Sequence, residues 1–83
     1  MEVLYSKQAR KYLVKLQAKK AIKITETLEK IAEGNTDGLN ITTMGIENTY
    51  RVRVGDYRAI YEINNDELVL IVIKVGPRGD VYK

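Results

Sequence analysis

Four of the five arginines fall in the C-terminal half, at Arg51, Arg53, Arg58 and Arg78. Arginine carries a rigid fork of N–H donors that matches phosphate oxygens, so the first chemistry to weigh is recognition of a phosphodiester. Arg53 and Arg58 flank Gly55-Asp56, a two-residue hairpin signal between alternating residues. Such a turn makes Val54 face Tyr57 and sets Arg53 directly opposite Arg58, with facing Cβ atoms about 4.5–5.5 Å apart. Like charges so placed repel. Either an anion sits between them, or the guanidinium groups splay into solvent or pair with Glu62 or Glu47. Arg51 points to the same face and extends the patch.

The run Val75-Gly76-Pro77-Arg78-Gly79-Asp80-Val81-Tyr82 leaves the last strand through a rigid Gly-Pro turn and presents Arg78 and Tyr82. An ordinary turn with a frayed tail is the alternative reading. If the second hairpin pairs Ile63 with Leu68, Arg58 stands opposite Ile73, just before the turn, and three arginines and a tyrosine converge on one concavity. The chain has no histidine and no cysteine, which excludes histidine acid–base catalysis, thiol nucleophiles and the common zinc sites. No Gly-x-Gly-x-x-Gly or Gly-Lys-Ser/Thr run is present, and Asp66-Glu67 reads as a turn, not a metal site.

Elements that hold these residues are legible from periodicity. Val3-Leu4-Tyr5 reads as a short strand, and Ser6 offers an N-cap for a helix with Ala9, Tyr12, Leu13 and Leu16 at helical spacing. Gln17-Ala18-Lys19 breaks it. A second helix carries Ala21, Ile24, Leu28, Ile31 and Ala32 on one face, and Gly34 is placed to end it at C′. Asn40 to Ile46 reads as a short strand after a loop. The period then becomes two: Tyr50 to Val54 and Tyr57 to Ile63 form a hairpin, with Tyr50, Tyr57 and Tyr61 on the core face. Asn64 to Glu67 turns, and Leu68 to Val75, nearly all β-branched or Leu, is expected to be a central strand buried on both faces. The prediction is one α+β domain over 1–83, an N-terminal strand and αα-hairpin packed on a C-terminal antiparallel sheet in the order β-α-α-β-β-β, without repeat or linker.

Eighty-three residues, 45% hydrophobic and 30% charged, are enough for one core and lie far from disordered composition. The net charge of +3 favours an anionic partner. Lysines dominate residues 7 to 30, where they read as a solvated helical face that can reinforce attraction to RNA. Without cysteine, and with no export-type N-terminus, a reducing cytoplasm is the expected location. The longest apolar stretch, Leu68 to Ile73, is too short to span a bilayer, so no membrane role is expected.

The run Tyr50-Arg51-Val52-Arg53-Val54-Gly55-Asp56-Tyr57-Arg58-Ala59-Ile60-Tyr61-Glu62-Ile63, then Leu68 to Gly76 and Arg78…Val81-Tyr82, resembles the RelE family of bacterial and archaeal toxins, and the element order resembles that family throughout. The resemblance implies a toxin of a type II toxin-antitoxin system, a ribosome-dependent endoribonuclease that cuts mRNA in the A site by metal-independent attack of the 2′-hydroxyl. It implies the ribosome, mRNA and a cognate acidic, RelB-like antitoxin as partners, and no metal or small-molecule cofactor. Carried over by motif, Arg58 stabilises the phosphorane, Arg78 assists the leaving 5′-oxygen, and Tyr82 acts at the 2′-hydroxyl or stacks on a base. Arg53 takes a position often held by lysine and acts as a fixed charge, because a guanidinium is a poor proton acceptor. Arg51 and Lys74 are the further RNA-binding candidates. The chain departs from the family in Gly76-Pro77-Arg78, where many members have Gly-His-Arg, in Gly79-Asp80, and in stopping at Lys83. Two rival expectations are a ParE-like inhibitor of DNA gyrase and an inactive homologue that only binds its antitoxin.

Overall fold

The computed structural model describes residues 1–79. In chain order it forms β1 (Glu2–Tyr5), α1 (Lys7–Lys15), α2 (Ala18–Ala32), β2 (Asn40–Thr43), β3 (Thr49–Val54), β4 (Tyr57–Asn64) and β5 (Val69–Pro77). The strands make one five-stranded sheet in the order β1-β5-β4-β3-β2. Strands β2 to β5 are antiparallel neighbours, as expected, and β1 joins the same sheet parallel to β5, with Tyr5 beside Val72. The sheet is therefore mixed, with the αα-hairpin packed on one face.

Local chemistry explains the helix boundaries. Ser6 is extended and its Oγ accepts from Ala9 N at 3.1 Å, satisfying an orphan donor at the start of α1. Leu16 and Gln17 both adopt extended backbone, which separates the helices one residue earlier than the predicted break. At the end of α2, Gly34 takes φ +84, Gly34 N bonds Ile31 O and Asn35 N bonds Lys30 O, closing the helix in a Schellman motif. The core joins Ala9, Ile24 and Leu28 of the helices to Val52, Ala59, Tyr61, Leu70, Val72 and Val75 of the sheet. Tyr50, Tyr57 and Tyr61 lie on this face as predicted, and Tyr50 stacks on Tyr61 with ring centroids 5.5 Å apart.

Two expectations about β5 are corrected. Ile63 pairs with Leu70 rather than Leu68, and Arg58 pairs with Gly76 rather than Ile73. The turn is longer than Asn64 to Glu67, because Leu68 adopts φ +56 and closes it; Asn64 Oδ1 accepts from both Asp66 N and Glu67 N, each at 3.1 Å, and stabilises the added length. A bulge between Ile60 and Tyr61 then displaces the ladder by one more residue. Secondly, β5 is an inner strand but is not buried on both faces. Val72 and Val75 are fully buried beneath the helices, whereas Ile73 is 41% exposed, and among the described residues no helix or strand layer covers the outer sheet face.

Candidate functional site

The outer face of the sheet carries the arginines. Gly55 takes φ +59 while Asp56 does not have positive φ, the pattern of a type II′ hairpin turn, whose twist matches that of the flanking strands. The register that follows is the predicted one: Val54 faces Tyr57, and Arg53 stands opposite Arg58. Because Val52, Val54 and Ala59 point into the core, Arg51, Arg53 and Arg58 point away from the helices. One row across the sheet reads Arg53, Arg58, Gly76, and the next reads Arg51, Ile60, Lys74. Gly76, itself buried, adds no side chain beside Arg58.

Arg78 reaches the same end of the sheet. Its backbone N–H donates to Asp56 O at 2.8 Å, which ties the residue after Pro77 to the β3–β4 turn. The shift in β5 register thus brings Arg78 to the cluster by a shorter path than the sequence implied. The Arg58 guanidinium is held below the ordinary arginine pKa, first by partial loss of hydration and then by repulsion from Arg51, Arg78 and Arg53. Arginine starts so far above neutrality that Arg58 remains a cation. Arg53 and Arg78 are exposed, whereas Arg51 and Arg58 are half-buried.

The sequence-based candidates Arg51, Arg53, Arg58, Lys74 and Arg78 therefore share one face and one end of the sheet. Tyr82 lies outside the described residues. The expected concavity depends in part on that residue; among those described, the helices occupy the other side of the sheet. Behind it, Tyr57 anchors the turn: its ring meets Tyr12 edge-on at 6.3 Å, and Lys20 Nζ lies 5.8 Å from the ring centroid. The helical hairpin adds positive charge of its own, for no Asp or Glu occurs between Val3 and Thr25. At the opposite end of β3 and β4, a cavity of about 420 Å³ is lined by Glu47, Glu62 and Asp66 with neighbouring asparagines. Its charge disfavours a phosphodiester at that end.

A family model described as the ParE toxin of type II toxin-antitoxin systems matches residues 3–82. The chain belongs to this toxin family. ParE and RelE toxins share a superfamily, and solved RelE structures match the chain over nearly its whole length. The RelE–RelB complex of Pyrococcus horikoshii contains a chain 29% identical with TM-score 0.79, covering 96% of this chain and 97% of that one. A chain of the RelB–RelE complex of Methanococcus jannaschii is 28% identical with TM-score 0.75, covering 95% and 94%. The isolated RelE toxin of Escherichia coli has the same fold at 22% identity, with TM-score 0.78 and coverage of 98% and 89%. No curated protein sequence matches the chain. The protein is thus a type II toxin with a RelE-like fold, and no helix among its described residues is long and apolar enough to cross a membrane.

Proposed function

We propose that this toxin is a ribosome-dependent mRNA endoribonuclease acting in the A site. The observation that carries the reading is the facing pair Arg53 and Arg58 on the sheet face opposite the helices, with Arg51 and Lys74 in the next row and Arg78 arriving beside the turn. A pentacoordinate phosphorane has more negative charge on its equatorial oxygens than the starting diester. Fixed guanidinium groups that suffer mutual repulsion while the site is empty therefore favour it most. In the reaction the 2′-oxygen bonds to the adjacent phosphorus while the bond from phosphorus to the 5′-oxygen breaks, leaving a 2′,3′-cyclic phosphate. Arg58 stabilises the phosphorane and Arg53 contributes a fixed charge. Arg78 donates hydrogen bonds to the departing 5′-oxygen. The 2′-hydroxyl proton goes to a base, a role we assign to Tyr82. Arg51 and Lys74 hold the flanking phosphates.

An arginine-rich site without a strong base relies on in-line placement of the RNA, which a ribosome supplies, so free RNA is cut weakly or not at all. The RelE structures similar to this chain include complexes with RelB, and a basic toxin of this fold fits an acidic antitoxin bound in the cytoplasm. A second reading, inhibition of DNA gyrase, is favoured by the match to the ParE family model. Primer extension on mRNA translated in a purified system separates the two. Cuts in the A site are expected; gyrase-dependent DNA breaks without mRNA cuts would establish the second reading instead.

A further inference from the structure

The geometry points to Gln8 as a positioning residue for Arg78, an inference that rests on the proposed role of the arginine cluster. Strand β1 covers the outer edge of β5 only from Val69 to Val72. Past that point the edge of Ile73 to Pro77 has no strand of the described residues beside it, although this segment leads directly into Arg78. Free strand edges are where local opening begins. Pro77, two residues after Val75, turns its nitrogen to this same free edge and has no N–H to offer there, so the segment is also short of one donor where it turns toward the cluster.

The first turn of α1 replaces the missing strand. Ser6 N donates to Val72 O at 2.9 Å, and Ser6 Oγ donates to Ile73 O. Gln8 then makes two bonds to one residue: Nε2 donates to Val75 O and Oε1 accepts from Val75 N, both at 3.0 Å. Only one orientation of the amide satisfies both groups. The side chain thus behaves as one residue of an added strand, closing the β5 edge three residues before Arg78. Its direction is set by the Ser6 cap, because Gln8 is the second residue of the helix that cap starts. The opposite side of the segment is held by the pairing of Arg58 with Gly76 and by Arg78 N on Asp56 O. Gln8 itself is on an exposed helix surface and lines neither the core nor the arginine face. Removing its amide leaves the hydrophobic core intact and loosens the strand that delivers Arg78.

The test uses Gln8→Met, which keeps length and helix propensity but cannot bond Val75, and Gln8→Glu, which keeps only the acceptor. Amide hydrogen exchange of the full chain is expected to quicken at Val75 and Arg78 in Gln8→Met while β3 amides keep their protection. Single-turnover cleavage of ribosome-bound mRNA should lose about tenfold in rate at saturation with unchanged half-saturation, less than the roughly 10²-fold that a misplacement of 1 Å can cost. Gln8→Glu should fall between Gln8→Met and the wild type. In an Arg78→Ala background, Gln8→Met should have no further effect, because the two changes act on one element. Unchanged exchange at Val75 and Arg78, or a rate loss that adds fully to that of Arg78→Ala, overturns the assignment. Failure of the parent reading looks different: the wild type then cuts no ribosome-bound mRNA, and the exchange pattern by itself decides whether Gln8 holds Arg78 in place.

Discussion

Arg53 and Arg58 face each other across a tight hairpin, and like charges at this spacing repel. Arg53→Thr, a good strand residue without charge, should therefore raise the urea midpoint of the isolated toxin while lowering its cleavage rate. Equilibrium denaturation followed by far-UV circular dichroism, beside the cleavage assay, checks both directions. The pair was legible in the sequence because a two-residue turn leaves no freedom of register. Gln8 was not, since a helical glutamine two residues after an N-cap looks like any solvated side chain until the strand beside it is placed. A different residue governs the alkaline limit. Tyr61 is 2% exposed, and its pKa is pushed up to about 12, chiefly by burial and further by Tyr50. Its folded value lies above the unfolded value near 10, so its contribution to stability is complete below about pH 10 and is lost as pH rises toward 12. Absorbance at 295 nm should show Tyr61 ionising together with unfolding. Tyr61→Phe should weaken that dependence.

Among the elements, the β4–β5 connection is where sequence and structure part. Leu68 is strand-like by composition, yet it closes the turn at φ +56 and is 63% exposed. Nothing in the side chain signals that role; it follows from the Asn64 side chain holding two successive amides. The same longer turn, with the bulge at Ile60 and Tyr61, moves Arg58 from Ile73 to Gly76. Apolar alternation does not reveal the bulge, because Leu68 to Ile73 is apolar at every position and fixes no face. The left-handed conformation costs a leucine about 1–2 kcal/mol, against roughly 0.5–1 kcal/mol of extra chain entropy for glycine. Leu68→Gly should thus raise the thermal midpoint slightly, and differential scanning calorimetry reads the shift. A fall in midpoint would mean that Leu68 makes contacts worth more than its backbone strain.

Across the whole molecule, charge and topology act together. The helical hairpin covers one sheet face and builds the core, leaving the other face to the arginines, and the acidic cavity lies at the far end of β3 and β4. Fold class and helix boundaries were legible because periodicity, Ser6 and Gly34 agree on them. The openness of the arginine face was not, because a run of β-branched residues in β5 reads the same whether one face or two is covered. The outcome is a small basic toxin with its charges displayed on a surface, suited to a substrate held rigidly by a larger assembly. Single-turnover cleavage of mRNA in programmed ribosomes, comparing the wild type with Arg58→Ala, tests that claim most directly. Loss of a charge-stabilising donor should slow the cut about 10²–10³-fold with the fold unchanged, whereas a rate within twofold of the wild type would contradict the account.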